Sequence, residues 1–156
     1  FKSQSNRTWE QFAAGTDFLN LRWSDVVADI QDSNPGCRIT VWCNEETPVI
    51  WPNILGQVTG LGDGFRFDGE LDITRGIISE AGYERLEAYL ANRPGLSEDQ
   101  RERVRALFLS YFHSEEAVEE EIDLPGWSQP LVDEMSESYQ ADAELIRRMT
   151  GVTFLS

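Results

Sequence analysis

The stretch Arg38-Ile39-Thr40-Val41-Trp42-Cys43-Asn44-Glu45-Glu46-Thr47-Pro48 decides how the rest of the chain is read. From Arg38 to Cys43 it is β-branched and aromatic enough for a strand. Ile39, Val41 and Cys43 fall on one face and Trp42 on the other, so both faces are apolar, the pattern of a strand buried within a parallel sheet. Thr47-Pro48 then supplies a cap and a first-turn proline for a helix whose core face is Ile50, Trp51, Ile54, Leu55 and Val58. Asn44, Glu45 and Glu46 fall between strand and helix, at the carboxyl end of the strand, where open α/β sheets place their ligands. Two carboxylates there could orient an acceptor hydroxyl or an arginine. The plainer reading is that they favour the positive end of the helix that follows.

Upstream, Thr8-Trp9-Glu10-Gln11 has the form of a capping box opening a short helix through Ala14. Trp23, Val26, Val27 and Ile30 recur at helical spacing, and Ser33-Asn34-Pro35-Gly36 stops that helix. Downstream, a loop at Gly60 to Gly64 and a short helix within Leu71 to Ile78 precede a helix begun by Ser79 and stopped by Pro94. Ser97-Glu98-Asp99-Gln100 is a second capping box, before Val104, Leu107, Phe108, Tyr111 and Phe112. A turn at Leu124 to Trp127 leads to a long helix ending near Gly151, and Val152 to Leu155 closes the chain as a second strand. The expectation is a helix-rich α/β chain, residues 1–156 forming one domain, with about six helices and two short strands. Two strands alone are marginal in water. Either helices cover both faces of a small sheet, or the strands belong to a larger parallel sheet whose other members precede Phe1, and the second alternative is preferred.

The 156 residues carry a net charge of −15, with one lysine, Lys2, so nothing offsets repulsion from a polyanion and direct nucleic-acid binding is disfavoured. No apolar run approaches the roughly 20 residues of a membrane-spanning helix. Cys37 and Cys43 flank one extended strand, which holds their backbones roughly 20 Å apart, too far to pair with each other. Two reduced, mostly buried thiols fit a reducing, cytoplasmic compartment.

A phosphate-cradling loop of the Gly-x-x-x-x-Gly-Lys-Ser/Thr type is absent, and Gly60-x-Gly62-x-Gly64 follows a helix where a dinucleotide fingerprint follows a strand. His113, the one histidine, ends an amphipathic helix and suits the negative pole there better than it suits catalysis. The acidic run Glu115 to Glu121 matches no calcium loop and reads as a solvated helix face.

Trp23-Ser24-Asp25-Val26-Val27, Ile39 through Pro48, Leu124-Pro125-Gly126-Trp127, and Tyr139-Gln140-Ala141-Asp142 through Gly151-Val152-Thr153-Phe154 together resemble the C-terminal region of bacterial sulfotransferase-like proteins. The resemblance implies a P-loop-like α/β fold whose N-terminal half is absent here. It implies transfer of a sulfuryl group from phosphoadenosine phosphosulfate, as co-substrate of the full enzyme, to a small-molecule or carbohydrate hydroxyl acceptor. Glu45 and Glu46 occupy the acidic pair that ends the family's strand, which makes Asn44, Glu45 and Glu46 the expected substrate-binding residues. This chain lacks the phosphosulfate-binding loop, so it should hold no cofactor and be inactive in isolation. The rival expectation is a non-enzymatic acidic interaction protein, a nucleic-acid mimic that occupies the basic groove of a partner.

Overall fold

The computed structural model describes residues 8–61, 65–114 and 126–156. Among them, seven α-helices and two strands follow in the order α1 (Trp9–Ala13), α2 (Trp23–Ser33), β1 (Ile39–Trp42), α3 (Thr47–Thr59), α4 (Asp72–Arg75), α5 (Glu80–Ala91), α6 (Glu98–Phe112), α7 (Gln129–Arg147) and β2 (Val152–Leu155). Tight 3-10 turns at Phe18–Asn20 and Asn44–Glu46 precede α2 and α3. The acidic run from Glu115 to Glu121, the turn residues Leu124 and Pro125, and most of the glycine loop lie outside the described residues.

β1 and β2 pair directly with each other in a parallel two-stranded sheet. All four β1 residues are half-buried, whereas an unbroken apolar strand was expected to be buried on both faces. With one neighbour each among the described residues, both strands keep an open edge, which apolar sequence alone does not reveal. Cys37 is exposed in the turn before β1, and only Cys43 is partly covered.

The chain groups into two compact units. The first comprises Phe1–Ile39 with Glu121–Thr153. In it, α2 packs on α7, and the buried Asp142 of α7 reaches the start of α2. Its carboxylate accepts from the Trp23 N–H at 2.6 Å, the Ser24 N–H at 3.1 Å and the Ser24 hydroxyl. Those two N–H groups have no partner within α2, so a residue 118 positions away in sequence from Ser24 caps the helix. On α2, Ser24 and Val27 are buried, while Trp23, Val26 and Ile30 are 63%, 45% and 44% exposed, so of the apolar stripe read from the sequence only Val27 is covered.

The second unit comprises Thr40–Glu120 with Phe154–Ser156. Its core is Ile78, Leu86 and Leu90, against which Tyr89, Val104, Phe108 and Phe112 pack. Gly82 lets α6 come close: a Cβ there would lie 2.5 Å from the Phe112 Cβ. Both capping boxes form as read. Ser97 Oγ accepts from the Gln100 N–H at 3.3 Å while Gln100 Oε1 accepts from the Ser97 N–H at 2.9 Å. Thr8 and Gln11 exchange the same two bonds. Leu107 and Tyr111 are exposed, and beside Val104, Phe108 and Phe112 the inner face of α6 carries Arg101 and Arg105, 7% and 0% exposed.

Candidate functional site

β1 delivers the chain into the 3-10 turn Asn44–Glu46, closed by the Glu46 N–H donating to the Cys43 carbonyl at 3.0 Å. Asn44 and Glu45 are exposed and Glu46 is half-buried. Thr47 Oγ1 donates to Asn44 Oδ1 at 3.4 Å, which ties the turn to the first residue of α3. Glu46 is the residue that caps α3, yet its side chain makes no capping hydrogen bond. Its Oε2 is buried and has no hydrogen-bond partner among the described residues. A carboxylate at the positive end of α3 is favoured there without any such bond, and the Glu46 oxygen keeps an open acceptor position.

The segment after the turn is fixed from two sides, and a proline is the cause of the first. Pro52, buried inside α3, has no N–H to give to the carbonyl of Pro48 four residues earlier. Thr74 of α4, fully buried, supplies the missing donor: its hydroxyl donates to the Pro48 carbonyl at 2.8 Å. Arg105 of α6 donates from Nε to the adjacent Val49 carbonyl at 2.6 Å. The first turn of α3, and with it the position of Glu46, is held by side chains of two other helices.

Arg105 carries its charge into a fully covered position because Glu98 waits there. Arg105 Nη2 lies 2.7 Å from Glu98 Oε1, and Arg66 Nη1 lies 2.7 Å from Glu98 Oε2. Burial alone would raise the Glu98 carboxyl, but hydrogen bonds and charge from Arg66 and Arg105 outweigh it and hold the group below the usual carboxylate range. Glu102, on the same helix, runs the other way: burial raises its carboxyl, and the bond from Asn53 Nδ2 at 2.8 Å offsets this only in part. One turn before Arg105, Arg101 Nη2 lies 2.9 Å from Glu70 Oε1 in a second covered ion pair.

Asn44, Glu45 and Glu46 thus sit together at the strand end as read from the sequence. Thr74, Arg101 and Arg105 were not anticipated. Their signals were present: an arginine pair spaced i, i+4 in register with Val104, Phe108 and Phe112, and a proline at the sixth residue of a helix, which frees the carbonyl four residues before it. His113 ends α6 on the exposed side, bridged in antiparallel fashion to Ile78. Among the described residues no three His, Cys, Asp or Glu side chains converge as a metal site, and no helix is long and apolar enough to cross a membrane. Comparison with known protein families, with characterised proteins and with solved structures gave no match.

Proposed function

We propose that the carboxyl end of β1 binds a hydroxyl-bearing acceptor, and that the chain is the acceptor-side, C-terminal part of a sulfotransferase-like enzyme. The observation that carries this reading is the buried, unpartnered Oε2 of Glu46 at the end of a parallel strand. A carboxylate oxygen without a donor is matched by an O–H, and accepting that bond turns the acceptor oxygen's lone pairs toward an incoming electrophile. Asn44 and Glu45, exposed beside it, flank the bound hydroxyl. The sequence resemblance adds the chemistry: the acceptor is a small molecule or carbohydrate, and the sulfuryl donor is phosphoadenosine phosphosulfate, gripped by parts of the enzyme other than these residues. Two unpaired thiols fit a cytoplasmic setting.

The second reading, an acidic interaction protein, draws on the net charge of −15 alone. Amide-resolved titration of this chain separates the two. Carbohydrate and phenolic hydroxyl compounds should shift the amides of residues 44–47 saturably, with Glu46→Gln weakening the effect, while phosphoadenosine phosphosulfate leaves the spectrum unchanged. Undisturbed amides at 44–47 across the series would remove the site. Saturable nucleotide binding would contradict the assignment to the acceptor side alone. Salt-sensitive capture of a basic protein, lost when Glu115, Glu116, Glu119, Glu120 and Glu121 become Gln, would establish the second reading in its place.

A further inference from the structure

A cleft of about 870 Å³ opens between the Arg66–Asp72 segment, α5 and the turn leading into α6. Phe67, Tyr83, Leu90 and Leu96 give it apolar and aromatic walls, and Glu70 and Arg101 also line it. Those two residues are 9% and 7% exposed. Their ion pair is singly bonded: Arg101 Nη2 donates to Glu70 Oε1 at 2.9 Å, while Arg101 Nε and Glu70 Oε2 have no partner among the described residues. A guanidinium and a carboxylate can close two parallel bonds. Here the second is open, which leaves one donor and one acceptor buried next to each other.

We infer that this cleft is a binding site for a neutral polyhydroxyl ligand, a saccharide or polyol, one of whose hydroxyls bridges Arg101 and Glu70. A hydroxyl is both acceptor and donor, so a single oxygen takes the Nε–H of Arg101 and gives its own hydrogen to Glu70 Oε2. An anion would satisfy only Arg101 and would meet Asp68, Asp72 and Glu87, which also line the cleft. A cation would satisfy only Glu70 and face the Arg101 charge. Tyr83 offers an aromatic ring for a sugar face, and its phenol, raised above its usual value by burial and by Glu87, stays a neutral hydroxyl able to join the same network. Arg101 and Glu70 are shielded from solvent, so binding draws carboxylate and guanidinium apart by enough to admit one oxygen. This site shares no residue with the strand-end turn and stands or falls without it.

The test is a nitrogen-resolved titration that follows the Arg101 Nε–H together with the Glu70 and Gln100 amides, using glucose, maltotriose, glucuronate and spermidine as probes. Glucose or maltotriose should shift all three signals along one saturating curve, and glucuronate should bind about tenfold more weakly because the acidic rim opposes it. Asp68→Asn, a substitution at an exposed rim position, should narrow that difference. The inference is overturned if neither saccharide moves the Arg101 Nε–H while that hydrogen shows magnetisation transfer from a long-lived water, since the bridging group is then solvent. It is equally overturned if spermidine alone perturbs the three signals, because the cleft is then an amine site.

Discussion

Two helices, one in each unit, bury polar side chains while large apolar ones stay exposed, and they differ in what draws the polar groups in. α2, in the first unit, shows Trp23, Val26 and Ile30 to the outside and buries Ser24 against Asp142. α6, in the second unit, turns Leu107 and Tyr111 outward and buries Arg101 and Arg105. Hydrophobic periodicity identifies a helix and its phase, but partners elsewhere decide which phase is inside. Where a carboxylate, a freed carbonyl or an orphan helix N-terminus is fixed in space, the group that satisfies it goes in even at the expense of apolar area, because an unmet buried polar group costs about 1–3 kcal/mol.

Removing the arginine from the second unit should have the largest effect. Arg105→Ala takes the charge from beside Glu98 and the donor from the Val49 carbonyl, and a loss of about 3 kcal/mol is expected in denaturant unfolding. Its pH dependence carries a sign. The folded Glu98 carboxyl lies below its unfolded value, so the stability it contributes is present above the unfolded value and disappears as pH falls through the folded one. The gap between parent and variant should therefore narrow in acid.

In the first unit the matching substitution is Asp142→Ala, which strips the cap from α2 and should cost about 2 kcal/mol. A null result would mean that water caps α2 as well as Asp142 does.

Thr74→Val should cost about 1.5 kcal/mol by leaving the Pro48 carbonyl bare. In a Pro52→Ala background the alanine N–H returns to that carbonyl, so the same Thr74 substitution should cost clearly less. Equal costs in both backgrounds would detach Thr74 from the proline. The smallest effect belongs to the outward stripe: Trp23→Gln should change stability within about 0.5 kcal/mol, and a larger loss would show that α2 is covered after all.

Much of the local structure was legible in the chain. Both capping boxes, the strand before Asn44 and the proline in the first turn of α3 follow from short-range chemistry, which is why Ser97-Glu98-Asp99-Gln100 can be read in isolation, although the cap expected at Thr47 falls on Glu46 instead. What could not be read is the contact that joins distant positions. Asp142 pairs with Ser24 across 118 residues and Arg105 with Val49 across 56, and neither spacing leaves a periodic trace. The strand-end turn was legible as a place, from the acidic pair after an apolar run. The orphaned oxygen of Glu46 was not, because it depends on where Thr74 and Arg105 hold the first turn of α3.

The inward turn of α6 underlies both the fixed strand end and the cleft, and exchange of arginine Nε–H protons with water tests it directly. Arg105, with Nε bonded to the Val49 carbonyl and the side chain fully covered, should exchange far more slowly than Arg103, exposed on the same helix. Equal, fast exchange at Arg105 and Arg103 would contradict the account, since α6 would then present its arginines to solvent and nothing would hold the start of α3 in place.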